Sequence, residues 1–366
     1  MMKVTTGDRE VPVSDTMRAF VMTEVGRTAV VEKPIPVPGP EEAIVRTTAA
    51  LICTSDVHTV NGALPVADGV TLGHEAVGVI HALGSAVEGF DEGDRVAVNA
   101  VTPCFRCDYC QRGDTSQCGG PLGGYRYTAQ MDGNMAEYFV VPAARGNLAP
   151  IPAELSDEKA AYACDMLSTG IMGAENASIE IGDTVAVFAQ GPVGLCATVG
   201  AHRLGAGRII AVESRPERQA LAKQFGADEI VDFSAGDPVE QILDITGGVG
   251  VDAAIEAFGF PQTFEACVRV TKAGGRVSNI GYHGENPEPL RLPLDAIGLG
   301  MNGKSIRTGL CTGGNLRMQR LFRLMLSDRV DPTPMTTHRF GFDDVPEAFR
   351  IMREKTDGVI KPLITF

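Results

Sequence analysis

Thr184-Val185-Ala186-Val187-Phe188-Ala189-Gln190-Gly191-Pro192-Val193-Gly194 runs from an apolar, β-branched stretch into a tight glycine-bearing turn and then into a helical pattern, Pro192 to Leu204. The turn has the spacing of a G-x-G-x-x-G loop with Ala189 in place of its first glycine. Gly191 lets backbone amides approach a pyrophosphate, and Gly194 lets the helix lie close on the strand. Pro192 and Val193 open the helix, whose N-terminus carries partial positive charge toward phosphates, and the missing N–H of Pro192 costs nothing there. A bare connector turn has the same look, so the frame around it decides.

That frame is a strand–helix alternation. Arg208–Val212 is apolar, Arg215–Phe225 helical, and Glu229–Val231, Asp252–Ala257 and Gly275–Ile280 are further strands separated by helical stretches at Pro238–Thr246 and Pro261–Val270. Such alternation gives a doubly wound parallel sheet. Gly247-Gly248-Val249-Gly250 precedes a strand rather than a helix and reads as a turn. Glu213 ends the second strand, where an acid accepts bonds from an adenosine ribose; its plain alternative is a surface residue capping the next helix. A carboxylate there repels a 2′-phosphate, which favours NAD, while Arg215 and Arg218 keep NADP open.

Upstream the texture differs. Short runs at Arg18–Met22, Glu42–Thr48, Ala76–Ala82 and Asp94–Asn99, among many Pro and Gly, read as a mostly antiparallel, loop-rich β domain. A chain of 366 residues exceeds what one core usually serves. The expected division is a β-rich domain over 1–167, a cofactor domain over 168–309, and a return of 310–366 to the first domain. Residues 1–16 read as a polar extension without the apolar core of a secretory signal.

The net charge of −14 argues against binding nucleic acid phosphates or anionic lipid. No apolar run approaches the roughly 18 residues of a membrane span, so a cytoplasmic protein is expected.

Of the nine cysteines, four crowd into Cys104-x2-Cys107-x2-Cys110-x7-Cys118. Four thiolates at this spacing close a tetrahedral shell around zinc with no open position, a structural site. An iron–sulfur cluster is the chemical rival, although its fourth Cys usually follows after x3 and precedes Pro. A second, dispersed set comprises Cys53-Thr54-Ser55-Asp56-Val57-His58, Gly73-His74-Glu75 and Cys164-Asp165. Each part alone is ordinary, and spacing does not bring them together. If they meet, a thiolate, an imidazole and a carboxylate make a three-ligand zinc site with its fourth position open for chemistry.

With Gly73-His74-Glu75-x2-Gly78-x5-Gly84-x2-Val87, Gly93-Asp94-Arg95-Val96, the four-Cys lobe and the Gly191–Gly194 loop in this order, the chain from Met17 to Phe366 resembles the zinc-containing medium-chain alcohol dehydrogenases. Asp165 in place of a third Cys is similar to the secondary-alcohol branch, several microbial members of which lack the four-Cys lobe kept here. The resemblance implies a GroES-like β-rich catalytic domain joined to a Rossmann cofactor domain. It implies Cys53, His74 and Asp165 as catalytic zinc ligands and Glu75 as a carboxylate that exchanges onto the metal. Asp56 would orient the imidazole, Ser55 and His58 would carry the alcohol proton to solvent, and Thr169 would lie beside the nicotinamide. Leu64, Ala100, Tyr125, Tyr282 and Leu310 would line the substrate pocket.

The expected function is therefore reversible oxidation of a secondary alcohol by hydride transfer to NAD, with two zinc ions per subunit and a small-molecule substrate. The family makes dimers and tetramers; a homotetramer is the expectation. Two rivals remain: a nicotinoprotein aldehyde dismutase of the same fold, and a zinc-stabilised nucleotide-binding redox sensor. The sensor has no need of the Ser55–His58 pair.

Overall fold

The computed structural model describes residues 16–121, 123–285 and 288–366; the polar segment 1–15 lies outside them. A six-stranded, all-parallel sheet occupies the second half of the chain, in the order Glu229–Val231, Arg208–Val212, Thr184–Phe188, Val251–Glu256, Thr271–Asn279, Ser305–Thr308. The chain starts in the third position, runs outward to one edge and resumes on the other side, which opens a crevice at the carboxyl end of Thr184–Phe188. Val185–Phe188 and Ile209–Val212 are buried because helices cover both faces, so these strands read as unbroken apolar runs rather than alternating ones. Gly247, Gly248 and Gly250 all take positive φ and form a turn.

The Pro192–Leu204 helix begins with Pro in its first turn and ends at Gly205 in the left-handed conformation, φ 99°. A Cβ on Gly194 would sit 1.9 Å from the Ala189 carbonyl oxygen, so only glycine fits there. Ala189 itself is held at φ 69°, the left-handed region where the missing first glycine would rest without strain. The next helix runs Pro216–Gln224 with Arg215 as its N-cap, one residue shorter at each end than the sequence pattern suggests. The Thr271–Asn279 strand starts earlier than expected, because Thr271 pairs with Val251 across an irregularity in register.

The first half builds a seven-stranded sheet whose core is Ala43–Leu51, Ala76–Leu83, Arg95–Val98 and Leu148–Pro150, with Tyr138–Val141 also on Ala43–Leu51. Lys361–Thr365 returns to this sheet and pairs antiparallel with Ala43–Leu51, placing Leu363 opposite Leu51. Thr336–Gly341 lies parallel to it at the edge. The buried Met166–Asn176 helix joins the two halves, pressed so closely on the Pro192–Leu204 helix that a Cβ on Gly170 would meet Cys196 Cβ at 2.3 Å. One apolar cluster consequently contains Leu51, Cys53 and Val77 together with Val187, Leu195 and Leu363. No helix among the described residues is long and apolar enough to cross a membrane.

Candidate active site and metal centres

The Ala43–Leu51 strand delivers Cys53 to the N-cap of the Thr54–Val60 helix. Asp56, in the first turn, accepts the Cys53 amide on one oxygen (2.9 Å) and the Gly73 amide on the other (3.0 Å). A single buried carboxylate thus ties the segment carrying Cys53 to the segment carrying His74. Gly73 sits at φ 92°, and a Cβ there would fall 2.8 Å from the Met135 amide, so the turn into His74 demands glycine.

His74 is sealed from solvent. Its Nδ1 faces Tyr125 Oη at 3.2 Å and Asp56 at 3.5 Å, while Nε2 faces Asp165 at 3.5 Å and Glu75 at 3.7 Å. Asp165 is the N-cap of the Met166–Asn176 helix, and its other oxygen accepts the Thr169 hydroxyl at 2.6 Å. Ligand atoms of Cys53, His74, Glu75 and Asp165 all lie within 4.8 Å of one another. His74 Nε2 and Glu75 Oε2 are buried without a hydrogen-bond partner. Burying such atoms unpaired is costly, and a bound cation would satisfy both. Sulfur, imidazole nitrogen and carboxylate oxygen are the donor set zinc prefers. Burial alone would push the Cys53 thiol up, but the charge of Lys361 and the bond to His74 outweigh it and bring the thiol to about 7. The donors therefore fit zinc.

Lys361 was not anticipated. Its Nζ donates to Glu75 Oε1 at 2.6 Å, and both side chains are fully buried. The available signal was a lone cation inside the apolar run Val359–Phe366.

In the four-Cys lobe, Cys107 Sγ lies 3.5 Å from Cys110 Sγ and 4.0 Å from Cys118 Sγ. A tetrahedron with zinc–sulfur bonds of about 2.3 Å has edges of roughly 3.8 Å. The Cys104 amide donates to Cys118 Sγ, the Gly119 amide to Cys107 Sγ, and Arg126 to Cys118 Sγ. Amide bonds from Cys110 and Gly119 lower the Cys107 thiol to about 6, whereas burial and its bond to Cys107 push Cys110 up to about 12. All nine cysteines are free, and this lobe also fits zinc.

At the cofactor loop, Glu213 is buried with its oxygens engaged by the amides of Gln190, Ser214 and Arg215. It holds the loop's shape. Arg218 approaches Glu213 at 3.7 Å and reaches to within 3.9 Å of a Cβ built on Gly191. Arg215 donates to the Lys355 carbonyl at 3.5 Å, and Lys355 Nζ reaches Thr54, the neighbour of Cys53, at 3.1 Å. Lys355 caps the C-terminal end of the Val345–Glu354 helix, an ordinary place for Lys, so nothing in the sequence marked it. Together these residues link the Gly191–Gly194 loop to the helix that follows Cys53.

Ser55 Oγ lies 3.4 Å from Cys53 Sγ, and His58, on the same helix, is largely enclosed with its Nδ1 2.6 Å from Glu285. Of the expected pocket residues, Tyr125 contacts His74 directly, and Ala100 is buried with its amide on the Cys164 carbonyl. Tyr282 is partly exposed, its ring 5.4 Å from that of His58. Leu64 and Leu310 are half-buried.

Residues 39–153 match the family described as alcohol dehydrogenase GroES-like domain, and residues 192–327 the family described as zinc-binding dehydrogenase. The chain is 45% identical to an alcohol dehydrogenase of Cupriavidus necator, over 94% of this chain and 97% of that one. It is 46% identical to an NADP-dependent isopropanol dehydrogenase of Thermoanaerobacter brockii, over 95% and 99%. Among solved structures, the alcohol dehydrogenase TADH from Thermus sp. ATN1 superposes with a TM-score of 0.87 at 33% identity, covering 95% of this chain and 99% of that one. Given a catalytic-type donor set beside a dinucleotide loop, a separate four-Cys lobe and these likenesses along nearly its full length, the chain belongs to the zinc-containing medium-chain alcohol dehydrogenases.

Proposed function

We propose that the protein reversibly oxidises a small secondary alcohol to its ketone by hydride transfer to NAD, with one catalytic and one structural zinc per subunit. The observation that carries this reading is the convergence of Cys53, His74, Glu75 and Asp165 within 4.8 Å, next to the helix that faces the cofactor loop. The similarity to isopropanol dehydrogenases favours a secondary alcohol. On this reading residues 1–167 and 310–366 form the catalytic part and 168–309 the cofactor part.

Cys53, His74 and Asp165 would hold a zinc ion, which would supply the Lewis-acid charge that eases removal of an alcohol proton, and a bound nicotinamide would supply the hydride acceptor. Asp56 holds the Cys53 and Gly73 backbones and faces His74 Nδ1, fixing the ring orientation. Ser55 would accept the alcohol proton as it passes its own hydroxyl proton on toward His58, which exchanges one with solvent. Glu75, paired with Lys361, keeps one oxygen free toward the donor cluster. Glu213 favours NAD, since its carboxylate would meet a 2′-phosphate. The cationic group of Arg215, Arg218 and Lys355 around it favours NADP as the second reading. A homo-oligomer is supported by the exposed apolar residues Leu292, Leu294, Leu299, Met301 and Ile306 beside the edge strand Ser305–Thr308.

Reduced-cofactor absorbance with a panel of secondary and primary alcohols, with each dinucleotide, before and after chelation, tests the reading. Loss of activity on chelation and its return with zinc are expected. Undiminished turnover in metal-free protein would refute it.

A further inference from the structure

The loop following the Thr271–Asn279 strand crosses from the parallel sheet to the end of the Thr54–Val60 helix and touches it at successive points. Tyr282 Oη donates to the Ala63 carbonyl at 3.1 Å, and Asn61 Nδ2 donates to Glu285 Oε1 at 3.3 Å. The same Glu285 oxygen lies 2.6 Å from His58 Nδ1. His58 is largely enclosed, its side chain 18% exposed, and its Nδ1 makes no aligned hydrogen bond, so Glu285 meets it as a charged group at contact distance. The Tyr282 ring covers it from one side.

We propose that Glu285 is the positioning residue of the proton relay, reaching from the cofactor-binding half to hold His58 at the outer end of the catalytic helix. This rests on the reading of His58 as the relay's terminus. Glu285 touches neither the donor cluster nor the cofactor loop, so it acts through His58. A carboxylate on Nδ1 sets the proton there and leaves Nε2 as the acceptor the relay needs. The other groups around the pair do not replace it. The Tyr282 hydroxyl is spent on Ala63, and Asp56, on the same helix, is engaged by two amides and faces His74. The charge of Lys355 helps keep the Glu285 carboxyl ionised. Burial works against the Glu285 anion, yet His58 and Asn61 keep its carboxyl below the usual range, as expected of a maintained pair.

The contact links two halves of the molecule through the relay itself.

The test uses the full-length holoenzyme and E285Q, which keeps shape and removes charge. Carbethoxylation of His58 by diethylpyrocarbonate, quantified by peptide mass spectrometry at one pH, reads how firmly the ring is held, independently of turnover. The modification rate is expected to rise several-fold in E285Q, and kcat to fall several-fold with KM little changed. E285D is expected to restore most of both changes. An unchanged His58 modification rate in E285Q overturns the proposal while leaving the relay reading intact. If H58Q keeps the wild-type kcat, the relay reading fails and the proposal falls with it.

Discussion

Lys361 Nζ and Glu75 Oε1 meet at 2.6 Å with both side chains fully buried, immediately behind the candidate zinc ligands. Lys361 comes from the last strand and Glu75 from the turn after His74, so the pair also pins the C-terminal segment to the site. Removing one partner of such a pair leaves an uncompensated buried charge, a loss of about 3–5 kcal/mol. Lys361→Met is expected to lower stability by that order in denaturant unfolding of metal-loaded protein. Glu75→Gln in the same background is expected to restore part of it. An additive double variant would show that the two groups are not coupled.

Ala189 at φ 69° carries backbone strain of roughly 1–2 kcal/mol that glycine would not. Ala189→Gly is expected to raise the melting temperature by a few degrees, less the entropy cost of added freedom in the unfolded chain. Cofactor affinity should hold or improve, because Gly191 and Gly194 keep their places. A clear loss of stability, read by differential scanning calorimetry, would contradict the strain.

Burial, followed by the charge of Arg218, lowers the Lys355 amine to about 8. Its folded value is below its unfolded value, so the charged form is penalised in the native state. That penalty is fully present below pH about 8 and is relieved as pH rises toward 10.5. An anionic cofactor needs the charged form. Dinucleotide affinity, measured by isothermal titration calorimetry, is therefore expected to fall as pH climbs above about 8. In Lys355→Met the affinity should be weaker below pH 8 and lose this dependence. A wild-type slope retained in the variant would assign the effect elsewhere.

The two cysteine-containing centres should separate by readout. Asp165→Asn is expected to cut turnover by at least ~100-fold and lower zinc content while the protein stays folded. Cys104→Ser is expected to lower the melting temperature, with chemistry affected only through folding. Metal analysis and circular dichroism on both variants check this. Unchanged metal content and rate in Asp165→Asn would remove it from the ligand set.

Much of the frame was legible in residue order. The Pro192–Leu204 helix, the Arg208–Val212 strand and the Pro261–Val270 helix fall where the periodicity of the sequence puts them, because local pattern and tertiary burial agree there. The four-Cys lobe was readable because its donors are close in sequence, and a short loop brings them together. Cys53, His74 and Asp165 each looked ordinary; their donor types suggested a set, but spacing did not bring them together, and only the resemblance assigned the three as ligands.

What residue order could not express was who meets whom across the molecule. Lys361 faces Glu75 because an antiparallel pairing carries the last strand back beside Ala43–Leu51. Glu285 reaches His58 because a loop of the parallel sheet folds onto a helix of the other half. The linear chain determined the two textures, the glycine-bearing loop and the thiolate lobe, since each depends on near neighbours. The charge partners of Glu75 and His58 were decided by the tertiary structure alone, because ion pairing depends on distance in space, and that distance follows from how the sheets and helices pack.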